Sequence, residues 1–188
     1  MKIWKMFTQA ELALPDWIDA AVDRSRRYLS DEDQVALAVD LSRRNLAQRT
    51  GGPFGAAVFD IHGHVVAVGV DCAAAQDCPM AHAETMAFLC AQRTIRHSRL
   101  GGMAGKTLAV SAQPCGMCCG ASVLAGIGTM LIGARRQDVV RLAGIDDGPV
   151  PADWAEELQR RGIVVRRDIH REAACEVLRQ YGESGAAR

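Results

Sequence analysis

Two short segments contain the side chains most suited to chemistry. The first, PMAHAE, contains His82 and Glu84, and the second, PCGMC, contains Cys115 and Cys118. One imidazole nitrogen and two thiolate sulfurs are ligands that suit tetrahedral zinc, and three protein ligands leave the fourth position open for water. A purely structural zinc site would use four protein ligands and no general base. The pattern therefore predicts a zinc site that can support catalysis.

The spacing of the cysteines supports this interpretation. Cys115 and Cys118 are three residues apart, so on a helix they share one face, one turn apart. Both segments lie where an extended or loop segment gives way to a helical pattern, and a helix N-terminus stabilises a thiolate. Cys119 should point about 100° away around the helix. A Cys-x-x-Cys pair could also be a redox pair, but the upstream His-x-Glu favours a metal site.

Glu84 is a candidate general base. On an ideal helix His82 and Glu84 would diverge by about 200°. Their convergence on one site requires both to lie at the first turn of a helix, where side chains can lean past the helix end. Such a carboxyl could accept a proton from water and deliver it to a substrate.

The composition limits the range of partners. The chain has 188 residues, 49% hydrophobic and 23% charged, which is typical of one globular domain. Lys and Arg number 22 and so do Asp and Glu, so the formal charge is zero. A nucleic-acid partner held by its phosphates would require a basic face. Charge balance therefore favours a small molecule over nucleic acid.

Cysteine usage predicts the compartment. The seven cysteines are an odd number and follow no disulfide spacing typical of a small domain. The N-terminus lacks the apolar region of a signal peptide, and no apolar run approaches the length of a membrane span. We therefore expect a cytoplasmic protein without a membrane partner. Five cysteines should be free thiols: Cys72, Cys78, Cys90, Cys119 and Cys175.

The periodicity of apolar residues predicts alternating helices and strands. An N-terminal helix is expected over 15–27, and Ser30 should cap a second helix that ends at Gly51. Further helices are expected at 80–97, 115–125, 137–142, 153–161 and 171–181. Strands are expected at 54–59, 65–70, 107–111, 130–134 and 163–165, with a turn at 101–105. This alternation predicts an α/β sandwich with a mixed sheet.

With this layout, the chain resembles the cytidine/deoxycytidylate deaminase superfamily over nearly its whole length. H-x-E together with P-C-x-x-C is a known signature of zinc deaminases. Within the superfamily, the chain is most similar to bacterial guanine deaminases, including the type that also accepts the triazine ammeline. The segments that match are GGPFGA at 51–56, AHAE at 81–84, PCGMC at 114–118 with GA at 120–121, IDDGP at 145–149, and the C-terminal helix at 171–181.

The resemblance implies a three-layer α/β/α, cytidine-deaminase-like fold with a five-stranded mixed sheet. It implies a single deaminase domain over 1–188, with a helical extension at 1–30. It also implies one zinc ion per subunit and a homodimer. In that dimer, the C-terminal helix and tail, 170–188, could exchange between subunits and help to close the site.

The resemblance further implies hydrolytic deamination of a free amino-substituted purine or purine-like heterocycle, with Glu84 as the proton carrier. The backbone N–H of Ala83 would contact the substrate, and Phe54 would form an apolar wall or pack in the core. Either Asp146 or, by better positional match, Asp147 would accept N–H groups of the base, because a carboxylate can accept two N–H bonds in parallel. Two acids before Gly-Pro could equally be turn residues.

One position departs from the family pattern. Family members usually have asparagine eleven residues before the zinc histidine, where this chain has Asp71. An ionised carboxylate only accepts hydrogen bonds, whereas an amide also donates. Asp71 is therefore expected to change which substrate edge is recognised, or else to cap its loop. A tRNA adenosine deaminase, a deaminase of a nucleoside, pterin, triazine or pyrimidine, and a non-catalytic zinc module are the competing hypotheses.

Overall fold

The computed structural model describes residues 10–96 and 105–185. Its strands are β1 (Gly55–Phe59), β2 (Val65–Val70), β3 (Thr107–Ala112), β4 (Thr129–Ala134) and β5 (Val164–Arg166). Its helices are α1 (Ile18–Ala21), α2 (Asp31–Ala47), α3 (Ala83–Ile95), α4 (Gly116–Ala125), α5 (Arg136–Asp138), α6 (Trp154–Arg160) and α7 (Arg171–Glu183). The chain from Val139 to Ala143 continues α5 as a π-helical turn.

The strands form one mixed sheet in the order β2-β1-β3-β4-β5. The strand β1 pairs antiparallel with β2 and with β3. The strand β4 pairs parallel with β3 on one side and with β5 on the other. The strands β2 and β3 therefore point in the same direction on either side of β1. This arrangement confirms the predicted five-stranded mixed sheet.

Alternation along the strands supplies two separate cores. In β1, Ala57 and Phe59 pack with α2 and α7 on one face, and Ala56 and Val58 pack with α3, α4 and α6 on the other. Successive residues of a strand point to opposite faces, so each buried strand contributes to both cores. The result is the three-layer α/β/α architecture that the resemblance implied.

The N-terminal region departs from the prediction. Its helix comprises only Ile18–Ala21, not 15–27, and the chain is already extended at Val22. The reason is tertiary: Tyr28 donates its backbone N–H to Gly63 O at 2.8 Å, which holds this segment against the turn between β1 and β2. Local amphipathic patterning cannot compete with such a contact.

Other boundaries agree with the sequence to within a few residues. Ser30 caps α2, accepting a hydrogen bond from the backbone N–H of Asp33 at 3.0 Å. The expected turn at 101–105 lies, except for Gly105, outside the described residues. Among the described helices, none has the length and apolar character needed to cross a bilayer.

Candidate active site

The sheet topology brings three chain segments to one edge. The strands β2, β3 and β4 all point the same way, so the segments that follow them emerge side by side. The helices α3, α4 and α5 begin in these segments. Helix N-termini carry unpaired N–H groups and partial positive charge, which suits anionic ligands and substrates. This edge of the sheet is therefore where the predicted site residues can meet.

The three expected zinc ligands do meet there. His82 is the N-cap of α3, Cys115 is the N-cap of α4, and Cys118 lies in the first turn of α4. The Nδ1 atom of His82 is 3.7 Å from each cysteine sulfur. One ligand atom from each residue lies within 4.8 Å of the others, and both cysteines are buried. One nitrogen and two sulfurs at this spacing fit a zinc ion, which confirms the predicted zinc site.

The local electrostatics prepare Cys115 to be a ligand. Hydrogen bonding with Cys118, and then with His82, lowers the pKa of Cys115 to about 4. Hydrogen bonding to Cys115 raises the pKa of His82 to about 9. Burial instead raises the pKa of Cys119 to about 12, and its sulfur contacts the carbonyl of Pro114 at 3.9 Å. Cys119 lies outside the ligand cluster, as the helical geometry predicted.

Glu84 lies beside the ligands without joining them. It is buried in the first turn of α3, and burial raises its pKa to about 7. His82 has extended backbone angles, φ −70° and ψ 160°, so the angular rule for helical residues does not separate it from Glu84. Both residues line the same cavity. A carboxyl with a pKa near neutrality can accept and release a proton in one cycle.

A small cavity faces the ligands at this edge. Several residues singled out from the sequence line it: Phe54, His82, Ala83, Glu84, Cys115 and Asp147. Ala83 is the first residue of α3, so its N–H is one of the donors without a partner inside the helix. Phe54 lines the cavity and also packs against both cores, so its position is compatible with both an apolar wall and core packing.

The two neighbouring acids of the 144–149 loop have different environments. Asp147 lines the cavity, and its charge contributes to the raised pKa of His82. The side chain of Asp146 is 71% exposed and forms an ion pair with Arg136. Asp147 is thus the acid that the structure places beside the metal ligands, and a substrate role for Asp146 stays a prediction.

Asp71 is buried in the loop that follows β2. Its Oδ1 accepts a hydrogen bond from the backbone N–H of Ala73 at 3.1 Å, and its backbone carbonyl accepts one from Asn45. Asp71 is not one of the described residues that line the cavity. These contacts are those of a loop cap, but the residue is buried and does not face solvent. Its predicted contact with substrate stays a prediction.

The sequence did not single out two polar residues of the cavity. Ser111 and Gln113 lie at the end of β3, and both line the cavity. The hydroxyl of Ser111 accepts the N–H of Gly55, and the amide oxygen of Gln113 accepts the N–H of Arg136. Their position could have identified them from the sequence, because both lie where a predicted strand ends just before the helix that contains the zinc ligand Cys118.

Comparison with known proteins places the chain among deaminases. The model of the cytidine and deoxycytidylate deaminase zinc-binding region matches residues 29–134. A guanine deaminase of known structure from Nitrosomonas europaea is 34% identical, with a TM-score of 0.86, and the match covers 96% of this chain and 100% of that chain.

More distant relatives differ in their substrates. A guanine deaminase structure from Bacillus subtilis is 25% identical, with a TM-score of 0.58 and coverage of 70% of this chain and 92% of that chain. A tRNA-specific adenosine deaminase from Buchnera aphidicola subsp. Schizaphis graminum is 26% identical over 153 residues, which are 81% of this chain and 95% of that protein.

Proposed function

Because this chain belongs to the cytidine and deoxycytidylate deaminase family, we propose that it deaminates a free purine or purine-like heterocycle by hydrolysis and releases ammonia. One observation carries the proposal. The buried carboxyl of Glu84 and the acid Asp147 line the same cavity as the zinc ligands His82 and Cys115. The similarity to guanine deaminases supports a purine-like base.

The protein residues divide the work of deamination. His82, Cys115 and Cys118 would hold zinc, which would supply Lewis acidity and lower the pKa of the attacking water. Glu84 takes one proton from the attacking water and gives it to the ring nitrogen. It then takes the remaining proton from the new hydroxyl group and gives it to the amine, which leaves as ammonia. With a pKa of about 7, Glu84 can serve both steps without a large energetic barrier to either protonation state. The N–H of Ala83 can donate to the substrate.

The cavity walls support a purine-like substrate. Phe54 offers an apolar surface against which a planar ring can pack, and Asp147 offers a carboxylate that accepts N–H groups. An amino-heterocycle with an amidine-like edge satisfies both. We further propose one zinc ion per subunit, a homodimer and a cytoplasmic role in purine metabolism.

The proposal is tested by ammonia release from a panel of aminopurines, pterins, triazines, pyrimidines and nucleosides. We expect turnover of a free purine-like base, together with one bound zinc ion by metal analysis. His82→Ala should lose zinc and activity together, because it removes one of only three protein ligands. Retention of full activity without zinc would contradict the site assignment.

A second candidate function is adenosine deamination in tRNA. The similarity to a tRNA-specific adenosine deaminase favours it. A groove that shares Gln113 with the cavity is lined by four arginines, Arg135, Arg136, Arg141 and Arg167. Arg135 and Arg136 form ion pairs with Asp168 and Asp146, which reduces the positive charge available for phosphates. An anticodon stem-loop RNA added to the panel decides between the two functions.

A further inference from the structure

A single arginine spans the residues on either side of Asp147. The Nη2 atom of Arg136 donates to Oδ1 of Asp146 at 2.5 Å and to the carbonyl oxygen of Gly148 at 2.6 Å. The same Asp146 oxygen also accepts the N–H of Gly148 at 3.2 Å. These bonds close a tight turn whose central residue is Asp147. Arg136 therefore holds the residues on both sides of Asp147, which itself lines the cavity.

The backbone of the same arginine holds a second residue of the cavity. The N–H of Arg136 donates to Oε1 of Gln113 at 3.3 Å. With its oxygen engaged in this way, Gln113 has its amide nitrogen available as a donor. The cavity thus has a carboxylate acceptor, Asp147, and an amide donor, Gln113, and both are held by Arg136.

We propose that Arg136 is a positioning residue whose side chain sets Asp147 as an acceptor for the substrate, beside the donor Gln113, which the backbone N–H of residue 136 holds. This inference rests on the proposed function and deepens it. The substrate class that fits is a planar heterocycle with N–H groups at one part of its edge and a carbonyl oxygen or unprotonated ring nitrogen at another.

The solvent exposure of the Arg136–Asp146 ion pair argues for a positioning role and against a role in folding stability. The side chain of Arg136 is 31% exposed and that of Asp146 is 71% exposed. Ion pairs at such exposure contribute little to folding stability. Loss of Arg136 should therefore leave the fold intact and act on the geometry of the site, where a displacement of about 1 Å can reduce turnover on the order of 10²-fold.

The chain offers a matched control for the test. Arg135 is the neighbouring arginine, and it forms a two-bond ion pair with Asp168 at 2.6 and 2.7 Å. Its partner lies outside the 144–149 loop. Arg135→Ala therefore removes a comparable surface ion pair without releasing the turn around Asp147.

The kinetic test compares Arg136→Ala, Arg136→Lys and Arg135→Ala on the best substrate of the wild-type enzyme. We expect Arg136→Ala to lower kcat/KM on the order of 10²-fold, with a loss in kcat as well as a rise in KM. Arg136→Lys should recover part of this loss, and Arg135→Ala should stay near wild type. In an Asp147→Ala background, Arg136→Ala should have little further effect, because the acceptor that Arg136 positions is already absent. If the two substitutions instead lower kcat/KM independently, so that their fold-changes multiply in the double variant, the inference is overturned.

A second measurement does not depend on activity. Amide hydrogen exchange at Gly148 should be faster in Arg136→Ala than in the wild-type protein, and unchanged in Arg135→Ala. Unchanged exchange in Arg136→Ala would overturn the positioning role whatever the kinetics show. If the wild-type enzyme deaminates nothing in the panel, the proposed function fails, and the exchange experiment still decides whether Arg136 holds the turn.

Discussion

Single residues of the site owe their chemistry to opposed electrostatic effects. Burial raises the pKa of Glu84 to about 7, whereas hydrogen bonds lower the pKa of Cys115 to about 4. A carboxyl that exchanges protons near neutrality suits proton transfer, and a thiol with a lowered pKa suits zinc binding. Cys119, one residue beyond Cys118, has no such hydrogen bonds, and burial raises its pKa.

The proton-carrying role of Glu84 predicts a clean separation of metal binding from catalysis. Glu84→Gln keeps the size of the side chain and is not a ligand change, so zinc content and thermal stability should match the wild type. Turnover should fall by about 10² to 10⁴-fold, the usual contribution of a general acid–base group. Steady-state kinetics with metal analysis on the same samples provides the check. Near-normal turnover would place the general base elsewhere.

Asp71 gives a prediction about specificity. Asp71→Asn keeps an oxygen that can accept the N–H of Ala73, so the loop cap should survive and zinc content should not change. If Asp71 also faces the substrate, the amide should shift preference toward guanine-like bases, because it can donate as well as accept. The ratio of kcat/KM values for guanine and the best wild-type substrate measures the shift. An unchanged ratio would leave Asp71 as a loop cap alone.

At the scale of elements, the site depends on how closely α3 packs on β2. A Cβ atom at Gly69 would lie 2.0 Å from the carbonyl oxygen of Ala83 and 2.5 Å from the N–H nitrogen of Ala87. Only a residue without a side chain allows this approach. Because Ala83 follows His82 directly, the contact also fixes the position of a zinc ligand.

We therefore expect Gly69→Ala to destabilise the protein by about 2 to 3 kcal/mol through overpacking, and to weaken zinc binding. The control is Gly120→Ala in α4, where an added Cβ meets no atom of the described residues within 4 Å. Within one subunit, that change should stabilise the helix by about 0.5 to 1 kcal/mol, and the comparison is made at a protein concentration where both variants have the same oligomeric state. Urea unfolding of both variants measures the difference. Equal midpoints would contradict the close packing.

A second element-scale feature is the ion pair that joins α5 to α7. The buried carboxylate of Asp138 accepts two bonds from Arg171, at 2.7 and 2.9 Å, and one from the N–H of Arg135 at 3.0 Å. The bonds from Arg171 contribute most to holding the pKa of Asp138 well below its usual range. A carboxyl with a depressed pKa stabilises the fold above its unfolded pKa, about 3.9, and this stability is lost as pH falls.

This pair predicts a pH-dependent difference between variants. The wild-type protein should lose more thermal stability than Asp138→Asn between pH 5 and pH 2, because only the wild type must protonate this carboxylate. At pH 7, Arg171→Met should lower the free energy of unfolding by about 1 to 3 kcal/mol, because a buried acceptor loses its main partner. Thermal denaturation across this pH range tests both. Parallel curves for wild type and Asp138→Asn would contradict the assignment.

At the scale of the whole molecule, the two cores contain most of the buried apolar residues that the structure describes, but α4 also exposes two large apolar side chains. Met117 is 37% exposed and Leu124 is 62% exposed. Gly120 and Ala121 lie between them on the same helix face. The C-terminal helix α7 instead buries Ala174, Val177, Leu178 and Tyr181 in the core of its own chain. Exchange of 170–188 between subunits stays a prediction.

The proposed homodimer gives the last prediction. If the exposed apolar side chains of α4 lie in the subunit interface, Leu124→Arg should shift the solution mass to that of a monomer while leaving secondary structure intact, because a charge there opposes burial. Leu29→Arg is the control, since Leu29 is 70% exposed and precedes α2. Light scattering of the three proteins compares their masses. A wild-type monomer with full activity would contradict the dimer.

The sequence by itself determined the metal site and the broad fold. Zinc restricts its ligands to a few residue types, and the spacing of Cys115 and Cys118 makes them neighbours on a helix whatever the rest of the chain does. Alternation of strand and helix patterns likewise predicted the sheet and most element boundaries. The strand and helix patterns and the Cys115–Cys118 pair are local, so they can be identified from the sequence, and the ligand chemistry of zinc identifies His82 as the distant third member.

Only the tertiary structure decided which polar residues face the cavity. Asp146 and Asp147 are adjacent acids in a loop, where side-chain direction follows no period, and a contact from Arg136 separates their roles. Gln113 and Arg136 are 23 residues apart and meet because β3 and β4 are parallel neighbours. The N-terminal helix was overestimated for the same physical reason: a contact between distant residues outweighed a local pattern.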